Sequence, residues 1–150
     1  KKNPAGNGLE TEHKYNIQGW LSGITHSIKA PSVNLQTGDT LWIRNIIFTE
    51  QLNYFKPQAA KPLYSGNIAE ISWNRGHDVM GDNTYAYSYD MLGRLTDAEL
   101  YKREPSENFP GFSLLGDNTF TERRMEYDLN GNMRSFERYT ATDCTNMSTI

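Results

Sequence analysis

The chain has 150 residues and a formal charge of −3, with Lys and Arg scattered, so no basic stripe argues for nucleic acid. Aromatics make up 12% and include nine Tyr, against an apolar fraction of only 37%, which suits β-sheets with a wet face better than a helical bundle. The single cysteine, Cys144, excludes an internal disulfide framework and any Cys-based zinc site.

The length allows one domain with a sizeable core. Residues 1–12 are polar and Gly-rich and read as a tail or loop, without the apolar stretch of a signal peptide. The polar start and finish suggest a piece of a longer protein. Tyr15 to Ile28 reads as a β-hairpin, and residues 29–40, with Pro31 and Gly38, as a loop. Thr40 to Phe55 is ambiguous by periodicity, because Ile46, Ile47, Leu52 and Phe55 also suit a short helix. Its β-branched and aromatic residues favour strands. Residues 76–83 form a second loop. Tyr85, Tyr87 and Tyr89 then share one strand face, opposite Ala86 and Ser88, and Leu95 to Tyr101 returns as the partner strand. Residues 102–118 hold Pro105, Pro110, Gly111 and Gly116 and read as an insertion. A last hairpin runs from about Thr119 to Tyr139, with Glu122, Arg124 and Glu126 facing Arg134 and Arg138. Cross-strand charge pairs of this kind contribute roughly 0.2 to 1 kcal/mol each. Residues 141–150 are a second polar tail.

One phrase recurs: Tyr15-Asn16-Ile17-Gln18-Gly19-Trp20-Leu21, Tyr89-Asp90-Met91-Leu92-Gly93-Arg94-Leu95 and Tyr127-Asp128-Leu129-Asn130-Gly131-Asn132-Met133. Asp or Asn opens a type I turn by bonding the backbone two residues on, and Gly supplies φ > 0 where the chain re-enters a strand. Asn16, Gly19, Asp90, Gly93, Asp128 and Gly131 are therefore the expected turn residues. Tyr15, Tyr89 and Tyr127 are expected to pack beside them. Tyr64-Ser65-Gly66-Asn67-Ile68 is a partial, shortened copy. The fold class expected is all-β: antiparallel hairpins over residues 13–140, forming a twisted sheet or an open, barrel-like shell segment with long loops.

In this order, and with Phe48 to Tyr54, Trp73, Thr121-Glu122 and Arg138-Tyr139 between and after them, these phrases resemble the YD-repeat, or Rhs, proteins of bacteria, in the form common among Bacteroidetes. The resemblance covers most of the chain. It implies long secreted or surface-associated proteins whose hairpins wind into a β-sheet shell, in some relatives around a C-terminal toxin. The implied partners are the remainder of the same chain and such a toxin. An autoproteolytic segment with Asp-Pro pairs is not carried over, because this chain has no Asp-Pro pair. Its long spacers also depart from the pattern, and predict loops or short helices interrupting the spiral.

Asp128, Asn130 and Asn132 alternate like early ligands of a calcium loop, but Met133 and Tyr139 stand where the Gly and Glu are needed, so turn chemistry explains them better. His13, His26 and His77 have no metal-ligand spacing, and Cys144 has no nearby His. Glu70, Asp78, Asp90, Glu122 and Glu126 supply carboxylates, of which Asp90 belongs to its turn and Glu122 and Glu126 to cross-strand Arg partners. Arg94 and Lys102 are too few for nucleic acid. No cofactor is expected, and no apolar run approaches the roughly 20 residues that span a bilayer. The reading is a non-enzymatic structural segment. The alternative is a carbohydrate-binding or adhesive module, with Tyr85, Tyr87 and Trp73 as a glycan platform and Trp20 and Trp42 as further aromatics. Exposed edge strands are expected to pair with a second copy.

Overall fold

In the computed structural model, which describes residues 8–76, 83–104, 111–114 and 119–140, all regular structure is antiparallel β. The strands are β1 (Leu9–Tyr15), β2 (Leu21–Val33), β3 (Thr40–Asn53), β4 (Glu70–Arg75), β5 (Asn83–Tyr89), β6 (Leu95–Glu104), β7 (Gly111–Leu114), β8 (Glu122–Tyr127) and β9 (Met133–Arg138). Their hydrogen-bonded order is β1-β2-β3-β4-β5-β6-β8-β9, with β7 also pairing β6. Because β5 occupies one edge of β6, β7 and β8 share the other. The all-β expectation holds, and Thr40 to Asn53 is strand rather than helix. The chain divides into two compact units, residues 1–51 with 73–79 and residues 52–72 with 80–150.

The first unit is a meander of β1, β2 and most of β3. Two ion pairs, Lys29 Nζ to Glu10 at 2.8 Å and Arg44 Nη2 to Glu12 at 3.0 Å, tie β1 to the strands after it. Both are about half exposed, so solvent screening leaves each a minor contribution to stability. The register of β2 on β3 slips between His26 and Ser27, which pair with Phe48 and Ile46 and leave Ile47 as the extra residue of a bulge. The Ile47 carbonyl accepts the Gly76 backbone N–H at 3.0 Å. Burial here is thin: Gly23 and Ser27 are buried, whereas Trp42, Ile43, Ile46 and Ile47 remain 41–48% exposed.

The second unit holds the core, built from Tyr54, Ala69, Ala86, Ala98, Leu100, Met125 and Phe136. At its centre Glu70 is 1% exposed, and its carboxylate accepts four hydrogen bonds. The Gln58 and Ala59 backbone N–H groups donate to Oε2 at 2.8 and 2.7 Å; the Asn53 amide and Ser72 hydroxyl donate to Oε1 at 2.9 and 3.3 Å. The Ser72 hydroxyl also meets that of Thr84 at 3.0 Å. An irregular stretch between β3 and β4 is thereby held to the sheet by one side chain.

Several boundaries are corrected. Leu9–Tyr15 is a strand, so the stretch read as a tail through residue 12 enters the sheet; residues 1–7 lie outside the described residues. The loop read at 29–40 shrinks to a turn at 34–39, since β2 runs to Val33. That turn is a longer relative of the repeated one: Gly38, at φ +74°, donates to the Asn34 carbonyl, and the Asn34 side chain accepts the Gln36 N–H. The insertion read at 102–118 contains the end of β6 and all of β7, while 105–110 and 115–118 lie outside the described residues. So do 77–82 of the second loop and the tail at 141–150. The partial copy around Gly66 keeps a left-handed glycine, at φ +94°, but forms no hairpin, because no strand precedes it.

Candidate functional site

The three hairpin tips share one construction. In each, the Asx side chain accepts two backbone N–H groups through a single oxygen: Gln18 and Trp20 on Asn16, Leu92 and Arg94 on Asp90, Asn130 and Asn132 on Asp128, all at 2.9–3.0 Å. The Asx carbonyl accepts the glycine N–H, and the Asx N–H donates to the carbonyl of the residue after the glycine. Gly19, Gly93 and Gly131 sit at φ +79°, +78° and +86°. This is a type I turn followed by a left-handed residue, the three-residue hairpin loop whose glycine re-aims the chain into the return strand. The register then slips beside each tip, pairing Tyr15 with Leu21, Tyr89 with Leu95 and Tyr127 with Met133.

All six expected turn residues hold those positions. Gly131 has open space around it, so a substitution there tests conformation alone. Gly131→Val should lower the urea midpoint by the equivalent of about 1 to 2 kcal/mol, the cost of forcing a β-branched residue into left-handed backbone. An unchanged midpoint would overturn that account.

The aspartates also make the tips acid-sensitive. The Arg94 backbone N–H, with the Arg94 guanidinium 2.7 Å from Oδ2, holds the Asp90 carboxyl below the usual carboxylate range. The Asn132 side chain and backbone do the same for Asp128. A depressed folded-state value stabilises the fold above the unfolded value, near ~3.9, and that contribution disappears as pH falls through the folded value. Thermal melts should therefore drop as the medium is acidified below about pH 4. Asp128→Asn should melt somewhat below the parent at pH 7, because its NH2 replaces the oxygen that accepts the Asn132 amide, and should lose less on acidification. An Asn variant with the full acid loss would assign that loss elsewhere.

The tyrosines do more than pack. Tyr127 donates its hydroxyl to the Leu95 carbonyl at 2.7 Å, and Tyr89 donates to the Ile68 carbonyl at 2.8 Å. In both cases the acceptor is the apolar residue that closes the preceding copy of the phrase. The residues just after Gly66 and Gly93 reach the other way. Arg94 Nη1 lies 3.4 Å from the Asp128 carbonyl, its guanidinium 4.7 Å from the Tyr127 ring centroid, and the Asn67 amide lies 3.4 Å from the Gly93 carbonyl. From the partial copy to the third full one, successive copies are stitched together by the Tyr of one and by the residue after the glycine of the other. Sequence reading missed this second set because Asn67 and Arg94 occupy the variable position of the phrase. Tyr15 departs from the packing expectation: it is 62% exposed, because no earlier copy among the described residues lies beside it.

Two members of the expected aromatic platform meet directly. Tyr85 and Tyr87 stack, with centroids 6.2 Å apart and planes 23° apart, beside a cavity of about 210 Å³ shared with Leu95, Ala98 and Glu122. The Tyr85 hydroxyl donates to the Phe120 carbonyl at 2.7 Å, and burial, then the nearby Glu122 charge, raises its pKa. Trp73 belongs to the first unit and is half-buried. A larger cavity of about 440 Å³, not anticipated from sequence, lies between Ala59, Lys61 and Leu63 on one side and Ser88, Glu99 and Tyr101 on the other. Glu99 is held there by Arg123 at 2.6 Å and by the Tyr101 hydroxyl at 3.1 Å.

The charge pairing of the last hairpin is corrected. Glu122 does pair with Arg138, but Arg124 reaches Glu137 at 2.7 Å and Glu126 accepts from the Ser135 hydroxyl rather than from an Arg. Arg124 has φ +53°, and the register shifts between Arg123 and Glu126, so the simple alternation breaks there. Both side-chain oxygens of Asp128 are occupied by the turn itself. His26 meets the Thr11 hydroxyl at 2.9 Å, while His77, Asp78 and Cys144 lie outside the described residues. No protein-family model matches the chain, and no curated protein matches it.

Proposed function

We propose that the chain is a non-enzymatic structural segment: a stretch of β-sheet wall in a large secreted or surface protein of the YD-repeat, or Rhs, type, whose shell encloses a C-terminal toxin in some members. One observation carries the reading. In the second and third full copies the Tyr, Asp and Gly are consumed by tip geometry and by stitches to the copy before, which is what a wall built of hairpins requires. Electron microscopy of the longest natural polypeptide containing this segment tests it. A continuous hairpin sheet running through these residues is the expected result; an isolated module on a linker would refute the reading.

A carbohydrate-binding or adhesive module is the second reading, favoured by the Tyr85–Tyr87 stack beside its cavity. Against it stands the Tyr85 hydroxyl, which is occupied internally. A glycan array followed by a fluorescence titration separates the two: saturable binding that Tyr87→Ala abolishes would favour the module.

A further inference from the structure

The stitches have a direction, and the direction leaves two unlike edges. Two outgoing strands, β5 and β8, end in a tyrosine whose hydroxyl crosses to the apolar carbonyl that closes the copy before it: Tyr89 to Ile68, Tyr127 to Leu95. The next acceptor in the series is the carbonyl of Met133, at the start of β9, and β9 is the last strand of the sheet order. In the opposite direction Tyr64 of the partial copy is 77% exposed and makes no such bond among the described residues, and the donor at the end of the series is Tyr15, at the end of β1, the first strand of that order. Its phenol is exposed, with no hydrogen bond among the described residues. One edge thus carries the unused donor and the other the unused acceptor.

We infer that the β9 edge is a docking site for one further hairpin of the same type, and that with this chain alone the occupant is the Tyr15 hairpin of a second copy. The incoming β1 lies antiparallel along β9, as β8 does along β6, and Tyr15 donates to the Met133 carbonyl. Such a contact joins unlike surfaces, so it propagates head to tail instead of closing a two-fold dimer. The inference deepens the wall reading and rests on its repeat-to-repeat stitching. The docking step also lacks one stitch that the preceding step has. Where Arg94 bonds its own Asp90, reaches the Asp128 carbonyl and covers the Tyr127 ring, the third copy has Asn132, whose amide turns back to its own Asp128 at 3.0 Å.

Sedimentation velocity of the purified chain over a concentration series tests this, with hydrogen exchange to locate the contact. Expected are species that keep growing with concentration, together with protection gained at both β1 and β9. Tyr15→Phe, which keeps the ring and removes the donor, should weaken association by about tenfold. Asn132→Arg, which restores the missing stitch toward the Asn16 carbonyl and the Tyr15 ring, should tighten it. Both positions are exposed at hairpin tips, so neither variant threatens the fold. A strictly monomeric chain, a dimer protected at β1 alone, or two variants indistinguishable from the parent would overturn the inference. The wall reading fails separately, if microscopy of the long polypeptide shows no continuous sheet.

Discussion

Gly76→Ala should destabilise the chain by about 3 kcal/mol or more, the upper end of the usual cost of overpacking. A Cβ at this position would lie 1.6 Å from the Ile46 carbonyl oxygen and 2.5 Å from its carbon. Both atoms are backbone, in the strand segment where the bulge at Ile47 already departs from regular pairing. No rotamer change relieves such a contact, so either β3 moves or the Gly76 N–H gives up the Ile47 carbonyl. The three tryptophans, Trp20, Trp42 and Trp73, all belong to the first unit, so tryptophan fluorescence in urea reads the damage where it occurs. Gly19→Ala is the control. It has open space and only a left-handed φ of +79° to strain, so about 1 kcal/mol is expected. Equal losses in the two variants would remove the steric argument for Gly76.

Glu70→Ala should cost about 3 to 5 kcal/mol, because it strands several buried donors together. The Gln58 and Ala59 N–H groups, the Asn53 amide and the Ser72 hydroxyl all converge on this carboxylate. Glu70→Gln should cost less. Its remaining oxygen can keep the two backbone donors, while Asn53 can turn its amide and Ser72 its hydroxyl to accept from the new NH2. Circular dichroism melts of the two variants give the comparison. If Gln is as damaging as Ala, charge rather than hydrogen-bond count is what holds the stretch between β3 and β4.

These two residues also show where reading the chain by itself stops. Nothing around Gly76 distinguishes it from the loop glycines, because its constraint comes from Ile46, thirty positions away in the chain. Glu70 reads as one carboxylate among several, because two of its donors are backbone groups in a stretch with no pattern of its own. Similarly, the charged residues of β8 were legible as a cross-strand set, but the left-handed Arg124 redirected two of the pairings. Conversely, the all-β class followed from alternation such as Tyr85, Ala86, Tyr87, Ser88 and Tyr89, which a half-buried strand requires.

The hairpin tips were determined by sequence alone. Each is closed by bonds between residues no more than four apart, so Asx, two free positions and Gly carry nearly all the information needed. What only the tertiary structure decided is the neighbour of each tip: Tyr127 on Leu95, Arg94 over Tyr127, Glu70 beneath the stretch it anchors. Those contacts join atoms separated by long stretches of chain, and their energy depends on where the sheet places them rather than on any local spacing.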